Sequence, residues 1–336
     1  DTEVLRWRAR TSIRESEWAR LMLDIALMPD NERLKPDWQY WRAVALEKTG
    51  RHAEATAVYE ALADDVSYHG FLAADAIGAP YELDDAVSNP DSRLLAEIEN
   101  RHEFVRAREL FLVGLDSRGR SEWAAAIAPL TTDEKYHAAI LASRWGWHSR
   151  AIATVASIGE FDDLELRYPL PFRDEFERHA GTAAIAPTWA YGIARSESLF
   201  MRDIRSSAGA IGLMQLMPAT GRRVARRIEL PYRGLDTLTD PASNIRLGTA
   251  YLGQMASRYD GNTILATAAY NAGPGRVDAW LPERGSVDAR AWIASIPFNE
   301  TRSYVRRVMT AEAIFHWRMT GKVKRLSDLL GPIDAT

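Results

Sequence analysis

The feature that most constrains the fold of this chain is a helix–glycine–helix phrase that recurs through its first 160 or so residues. Trp38 to Gly50 sets apolar residues at helical spacing and then stops on glycine. The next helix, Arg51 to Ala63, carries Ala53, Ala57, Val58 and Leu62 on one side. The phrase returns as Ala107 to Gly119 followed by Arg120 to Leu130, and as His137 to Gly146 followed by Trp147 to Ile158. The spacing predicts turns at Gly50, Gly119 and Gly146, where glycine tolerates a left-handed backbone. Each helical hairpin leaves an apolar face bare, and stacking against a neighbour buries it. Two architectures meet that need: a superhelix of stacked hairpins, or one bundle of unrelated helices. No alternating strand pattern appears, so the fold class is all-α, with a short hairpin around Ile204 to Gly212 left open.

Two breaks divide the chain. Gly78-Ala-Pro80 through Asn89-Pro90-Asp91 is rich in Gly, Pro, Asp and Asn and reads as a linker. Tyr168-Pro-Leu-Pro171 is the second, ahead of a polar helix from Arg173 to His179. Past Thr182 glycine rises and short motifs crowd together. The expected helices there are Pro187 to Leu199, Pro218 to Ile228, Pro241 to Tyr259, Asn262 to Asn271 and Glu300 to Thr320. The expected domains are therefore 1–92, 93–167 and 168–336.

The formal net charge of -4 argues against a general nucleic-acid binder, which needs a basic excess to neutralise phosphates. Arginines do cluster, at 222, 223, 226 and 227 and at 302, 306 and 307, and read as solvated helix faces. The absence of cysteine removes disulfides and thiolate chemistry. No apolar run approaches the ~20 residues that span a bilayer. The seven histidines show no metal-ligand spacing and read as structural or surface residues, so neither a metal nor a cofactor is expected. The chain opens at Asp1 in sequence that already reads as helical, which suggests a processed form or a fragment.

Chemistry concentrates after residue 189. Glu197 closes the largely apolar run Trp189-Ala-Tyr-Gly-Ile-Ala. On a helix it shares a face with Ile193, and lost hydration there would raise its pKa toward that of a neutral acid. Taken alone, the segment also suits an ordinary helix-terminal glutamate, or one paired with Arg195. The loop Ser206 to Gln215 shifts the balance. Gly209 and Gly212 permit close backbone approach, and Gln215 sets a donor and an acceptor on an apolar floor of Leu213, Met214, Leu216 and Met217, which suits a sugar ring. Tyr270-Asn271 then ends a helix before Ala-Gly-Pro-Gly275, bringing a hydroxyl and an amide.

Together these segments closely resemble the soluble lytic transglycosylases, glycoside hydrolase family 23. Glu197-Ser198 resembles the family's glutamate–serine pair, Gly212 to Gln215 its Gly-Leu-Met-Gln motif, and Ala269 to Gly273 its Ala-Tyr-Asn-Ala-Gly motif. Ser295 to Val305 resembles its late segment. The helical first part, whose hairpins also resemble tetratricopeptide-like arrays, resembles the family's superhelical arm. The resemblance implies the tail of a ring-forming arm, a linker domain and a lysozyme-like catalytic domain. Ser207 stands where a proline often follows the serine.

By the resemblance, Glu197 is the sole catalytic group, acid first and base second. Ser206 orients the sugar, Gln215 and Met217 contact the glycan, and Tyr270 with Asn271 holds glutamate and substrate. Glu300 and Tyr304 meet the stem peptide or a neighbouring sugar. The implied partners are peptidoglycan strands and stem peptides, with other cell-wall enzymes as further candidates, and the implied compartment is the periplasm. The implied reaction cleaves the bond between N-acetylmuramic acid and N-acetylglucosamine and leaves a 1,6-anhydro end. Two alternatives stand beside it. A goose-type lysozyme would use water and need a second carboxylate, for which Asp203 is the nearest in sequence. A scaffold would bind glycan without cutting it.

Overall fold

A computed structural model describes residues 1–83 and 90–335. Part of the expected linker, residues 84–89, lies outside the described residues. The described chain is 67% helical with almost no strand, as the all-α reading expects. Its only regular strand pairing among the described residues joins Ser286–Val287 to Ile333–Asp334, antiparallel. Two compact units emerge. The first comprises Asp1–Glu82, Ala183–Gly192 and Tyr251–Thr336; the second comprises Leu83–Thr182 and Ile193–Ala250.

In the first unit the helices Pro36–Lys48, His52–Ala63 and Tyr68–Ile77 pack in succession. Gly50 makes the expected turn at φ +81°, and Gly78 caps the third helix in the left-handed region at φ +68°. Thr2–Arg14 packs on Ala289–Ser295, and Thr263–Ala272 packs on Asn299–Thr320. A Cβ at Gly192 would lie 3.0 Å from the Val308 carbonyl oxygen, so the absent side chain lets two backbones approach. The second arginine run departs from its expected solvated face. Arg302 is buried and lies over Trp7, and Arg306 pairs with Asp37 at 3.8 Å. The first run, on Pro218–Arg227 in the second unit, is exposed as expected.

In the second unit His102–Leu112 and Asp116–Ile127 form one hairpin, and Thr132–Arg144 and His148–Ser157 form another. Their shared core centres on Trp123, which is 1% exposed and packs with Phe104, Trp145 and Trp147. Its indole N–H donates to Thr154 Oγ1 at 3.1 Å, so the burial leaves no polar group unmet. Gly146 turns at φ +76° as expected, but Gly119 does not turn. It sits inside Asp116–Ile127, and the bend falls at Gly114, φ +79°. Gly119 serves packing instead: a Cβ there would be 3.1 Å from the Trp147 ring and 3.2 Å from the Ala107 carbonyl oxygen.

Candidate active site

Glu197 lies on the last turn of Pro187–Ser198 and is half-buried. Its neighbour explains why the helix ends where it does. Ser198 Oγ donates to the Leu213 carbonyl at 2.7 Å and lies 3.1 Å from the Ala194 carbonyl, at 3% exposure. One buried hydroxyl thus ties the end of the glutamate helix to the Gly-Leu-Met-Gln loop.

That loop is fixed by backbone geometry and by a residue thirty positions away. Isolated antiparallel bridges join Arg205 to Ile211 and Ile211 to Leu216, a minimal form of the hairpin the sequence left open. Gly212 sits at φ +83°, and a Cβ there would come within 2.2 Å of the Leu238 carbonyl oxygen and 2.4 Å of Asn244 Nδ2. No side chain fits. Asn244, fully buried, accepts from the Met214 amide at 2.8 Å and donates to the Ile211 and Leu238 carbonyls at 3.1 and 2.8 Å. Sequence reading missed Asn244, because an asparagine inside a helix carries no local signal of a distant loop.

The expected polar residues of this loop divide by what they do. Ser206 closes a small turn, its Oγ accepting from the Ala210 amide at 3.0 Å and its own amide donating to the Ala210 carbonyl at 2.9 Å. Gln215 is left-handed at φ +43°, and its Nε2 donates to the Ile204 and Gly212 carbonyls at 3.2 and 2.9 Å. Its amide protons therefore hold the loop. Met217, 42% exposed, caps the following helix and offers apolar surface. Asp203 is engaged in a two-point pair with Arg120, at 2.8 and 2.9 Å.

Tyr270, Asn271, Glu300 and Tyr304 belong to the first unit. Tyr270 is 8% exposed and meets Tyr251 at a 5.2 Å centroid distance. Asn271 Oδ1 accepts from Thr301 Oγ1 at 2.7 Å, which couples the Tyr-Asn motif to the helix that carries Glu300. Glu300 is exposed, whereas Tyr304 is buried at 2%. Beside Glu300 lies a surface the sequence did not flag. Phe298, 44% exposed, packs edge-on against Trp280 at 5.3 Å and carries the Arg276 guanidinium at 5.2 Å.

Residues 174–293 match the transglycosylase SLT domain, and residues 97–164 match the soluble lytic murein transglycosylase L domain. By these two matches the chain carries the SLT and L domains of soluble lytic transglycosylases. The chain is 35% identical to soluble lytic murein transglycosylases of Salmonella typhimurium and Escherichia coli K12, over 97% of its own length. It spans about half the length of these relatives, 51% and 50%. Among solved structures it resembles an inactive glutamate-to-glutamine mutant of lytic transglycosylase Slt from Pseudomonas aeruginosa. The TM-score there is 0.89 at 36% identity, covering 97% of this chain and 53% of that one. The 70 kDa soluble lytic transglycosylase Slt70 from Escherichia coli gives a TM-score of 0.89 at 34% identity, covering 98% and 53%. The SLT match contains Glu197, Ser206, Gln215, Met217, Tyr270 and Asn271 and stops before Glu300 and Tyr304.

Proposed function

We propose that the chain is a peptidoglycan lytic transglycosylase that cuts the β-1,4 bond from N-acetylmuramic acid to N-acetylglucosamine, with Glu197 as its single acid and base. The supporting observation is the isolation of Glu197 from a working second carboxylate in its own loop region. Asp203, the nearest in sequence, is committed to Arg120. A glycosidase with one catalytic carboxylate must take its nucleophile from elsewhere. Here the substrate supplies it. Glu197 gives its proton to the glycosidic oxygen as that bond breaks, while the neighbouring acetamido group shields the developing cation. The carboxylate then takes the proton of the muramic acid C6 hydroxyl, whose oxygen closes onto C1 as the 1,6-anhydro ring. Intramolecular attack avoids ordering a water molecule, a gain of up to ~7–11 kcal/mol in ideal geometry.

Further support comes from the inactive glutamate-to-glutamine form of the Pseudomonas relative. Gln215 Oε1, Met217, Ser206, Tyr270 and Asn271 are the residues we assign to the glycan. Glu300 meets the stem peptide. Tyr304, being buried, reaches substrate only indirectly. The substrate places the protein in the periplasm, and no helix among the described residues is long and apolar enough to cross a membrane. Digestion of purified murein followed by mass spectrometry tests the reading. We expect anhydro ends, and a loss of at least about 10³-fold in rate for Glu197→Gln. Reducing ends would instead favour the lysozyme alternative, and undiminished digestion by Glu197→Gln would remove this residue from the chemistry.

A further inference from the structure

The segment that leaves Glu197 is tied to the L-domain stretch residue by residue. Met201 Sδ lies 3.8 Å from Arg150 Nη2. Arg202 pairs with Asp116 at 3.0 Å. Asp203 pairs with Arg120 through two parallel contacts at 2.8 and 2.9 Å. On the other side of the glutamate, Arg195 Nε donates to the Arg167 carbonyl at 2.7 Å, and its guanidinium sits 4.0 Å from the Tyr168 ring centroid.

Two further observations say that these ties have work to do. Leu199 and Phe200 are both left-handed, at φ +51° and +65°. Bulky residues rarely hold that backbone unless their surroundings impose it. Phe200 is 8% exposed, yet its packing leaves space beside it. A cavity of about 320 Å³ opens beside the turn, lined by Phe111, Trp147, Phe172, Phe200 and Met201 among others. The polar contacts that follow immediately add to the Leu199 and Met201 amide hydrogen bonds, to the Arg195 and Ser198 carbonyls at 3.1 Å each, in holding the strained turn. Their charges alternate, Arg202 then Asp203 facing Asp116 then Arg120, so a slip of one residue would set arginine against arginine.

We infer that the helical hairpin carrying Asp116 and Arg120, with Arg150 on the next hairpin, is a positioning element for Glu197, acting through this three-residue clasp. The inference rests on the reading of Glu197 as the catalytic group. None of the clasp residues touches substrate; each acts through the backbone that fixes where the carboxyl points. Misplacement of a catalytic group by about 1 Å costs about 10²-fold in rate.

The test uses the whole chain on purified murein, with kcat, KM and melting temperature read for each variant. Arg120→Asp should lower kcat about ten- to a hundred-fold with KM little changed, and the exchange Arg120→Asp with Asp203→Arg should restore most of it. Should Arg120→Asp fold poorly, Arg202→Gln, on a side chain 43% exposed, carries the same test at the second pair. Unchanged kcat in these variants overturns the clasp, as does a loss that merely follows melting temperature and is not restored by the exchange. Glu197→Gln separates the two levels. If it stays active, the reading of the glutamate fails; if it is inactive while the clasp variants are not, only the clasp fails.

Discussion

At the scale of single residues, the motif letters and their supports differ in how they can be read. Glu197, Gly212 and Gln215 stand out because a carboxylate on an apolar run, a glycine before a loop and an amide on an apolar floor each break a local pattern. Asn244 breaks none, yet the loop hangs on it through three buried hydrogen bonds. Removing its side chain would leave the Met214 amide and two carbonyls unmet, at about 1–3 kcal/mol each. Asn244→Leu should therefore cost at least about 3 kcal/mol in chemical denaturation and abolish murein digestion. Asn244→Asp, which keeps the acceptor for the Met214 amide but sets a buried carboxylate against the Ile211 and Leu238 carbonyls, should also destabilise. A loss below about 1 kcal/mol for the leucine variant would show that the loop stands without this residue. Ser198 was equally illegible in role, since its partner Leu213 is distant in sequence.

At the scale of elements, helix periodicity located the five expected helices after Thr182 to within a residue or two, because their apolar faces repeat cleanly, and missed the short helices Leu235–Thr239, Pro274–Asp278 and Ala289–Ser295. Turn placement failed where a glycine had two uses. Gly114 is flanked by apolar residues and looks like helix interior, while Gly119 sits in a polar run and looks like a turn. The three-dimensional contact with Trp147 decides otherwise. The long helix Asn299–Thr320 carries a second hidden feature. Glu312 is 1% exposed, and burial pushes its carboxyl above the usual 4.5, with Lys324 at 3.3 Å opposing that rise. The raised value means that the folded state holds this proton more tightly than the unfolded chain. The stability it contributes is present below the unfolded pKa and is lost as pH rises through the folded one. Glu312→Gln keeps the shape and lacks the titration. Its stability relative to wild type should rise with pH, by about 1.4 kcal/mol for each unit between the two pKa values. Urea midpoints measured from pH 4 upward check this, and curves that run parallel would refute it.

At the scale of the whole molecule, the sequence conveyed the class of the fold but not which distant stretches share a core. The first unit is assembled from three separate stretches of chain. Tyr81 Oη accepts from the Leu326 amide at 2.7 Å, and Asp75 accepts from the Ser327 amide at 2.8 Å while pairing with Arg325 at 3.2 Å. Arg290 donates to the hydroxyl of the fully buried Tyr40 at 3.0 Å. Such pairings span some 250 residues of sequence, and no local pattern announces them. They bear on how far the last expected domain can stand alone. A fragment covering 168–336 loses every one of these partners, and with them Thr2–Arg14, on which Ala289–Ser295 packs. Each large apolar side chain returned to water costs about 1.5–3 kcal/mol, against a typical total stability of 5–15. A handful of such losses exhausts the margin. The fragment should therefore lack a cooperative thermal transition and bind a dye that reports exposed apolar surface, while the 336-residue chain melts cooperatively and does not bind it. If the fragment instead melted cooperatively near the temperature of the full chain, the first 82 residues would be an attachment to the core and not part of it.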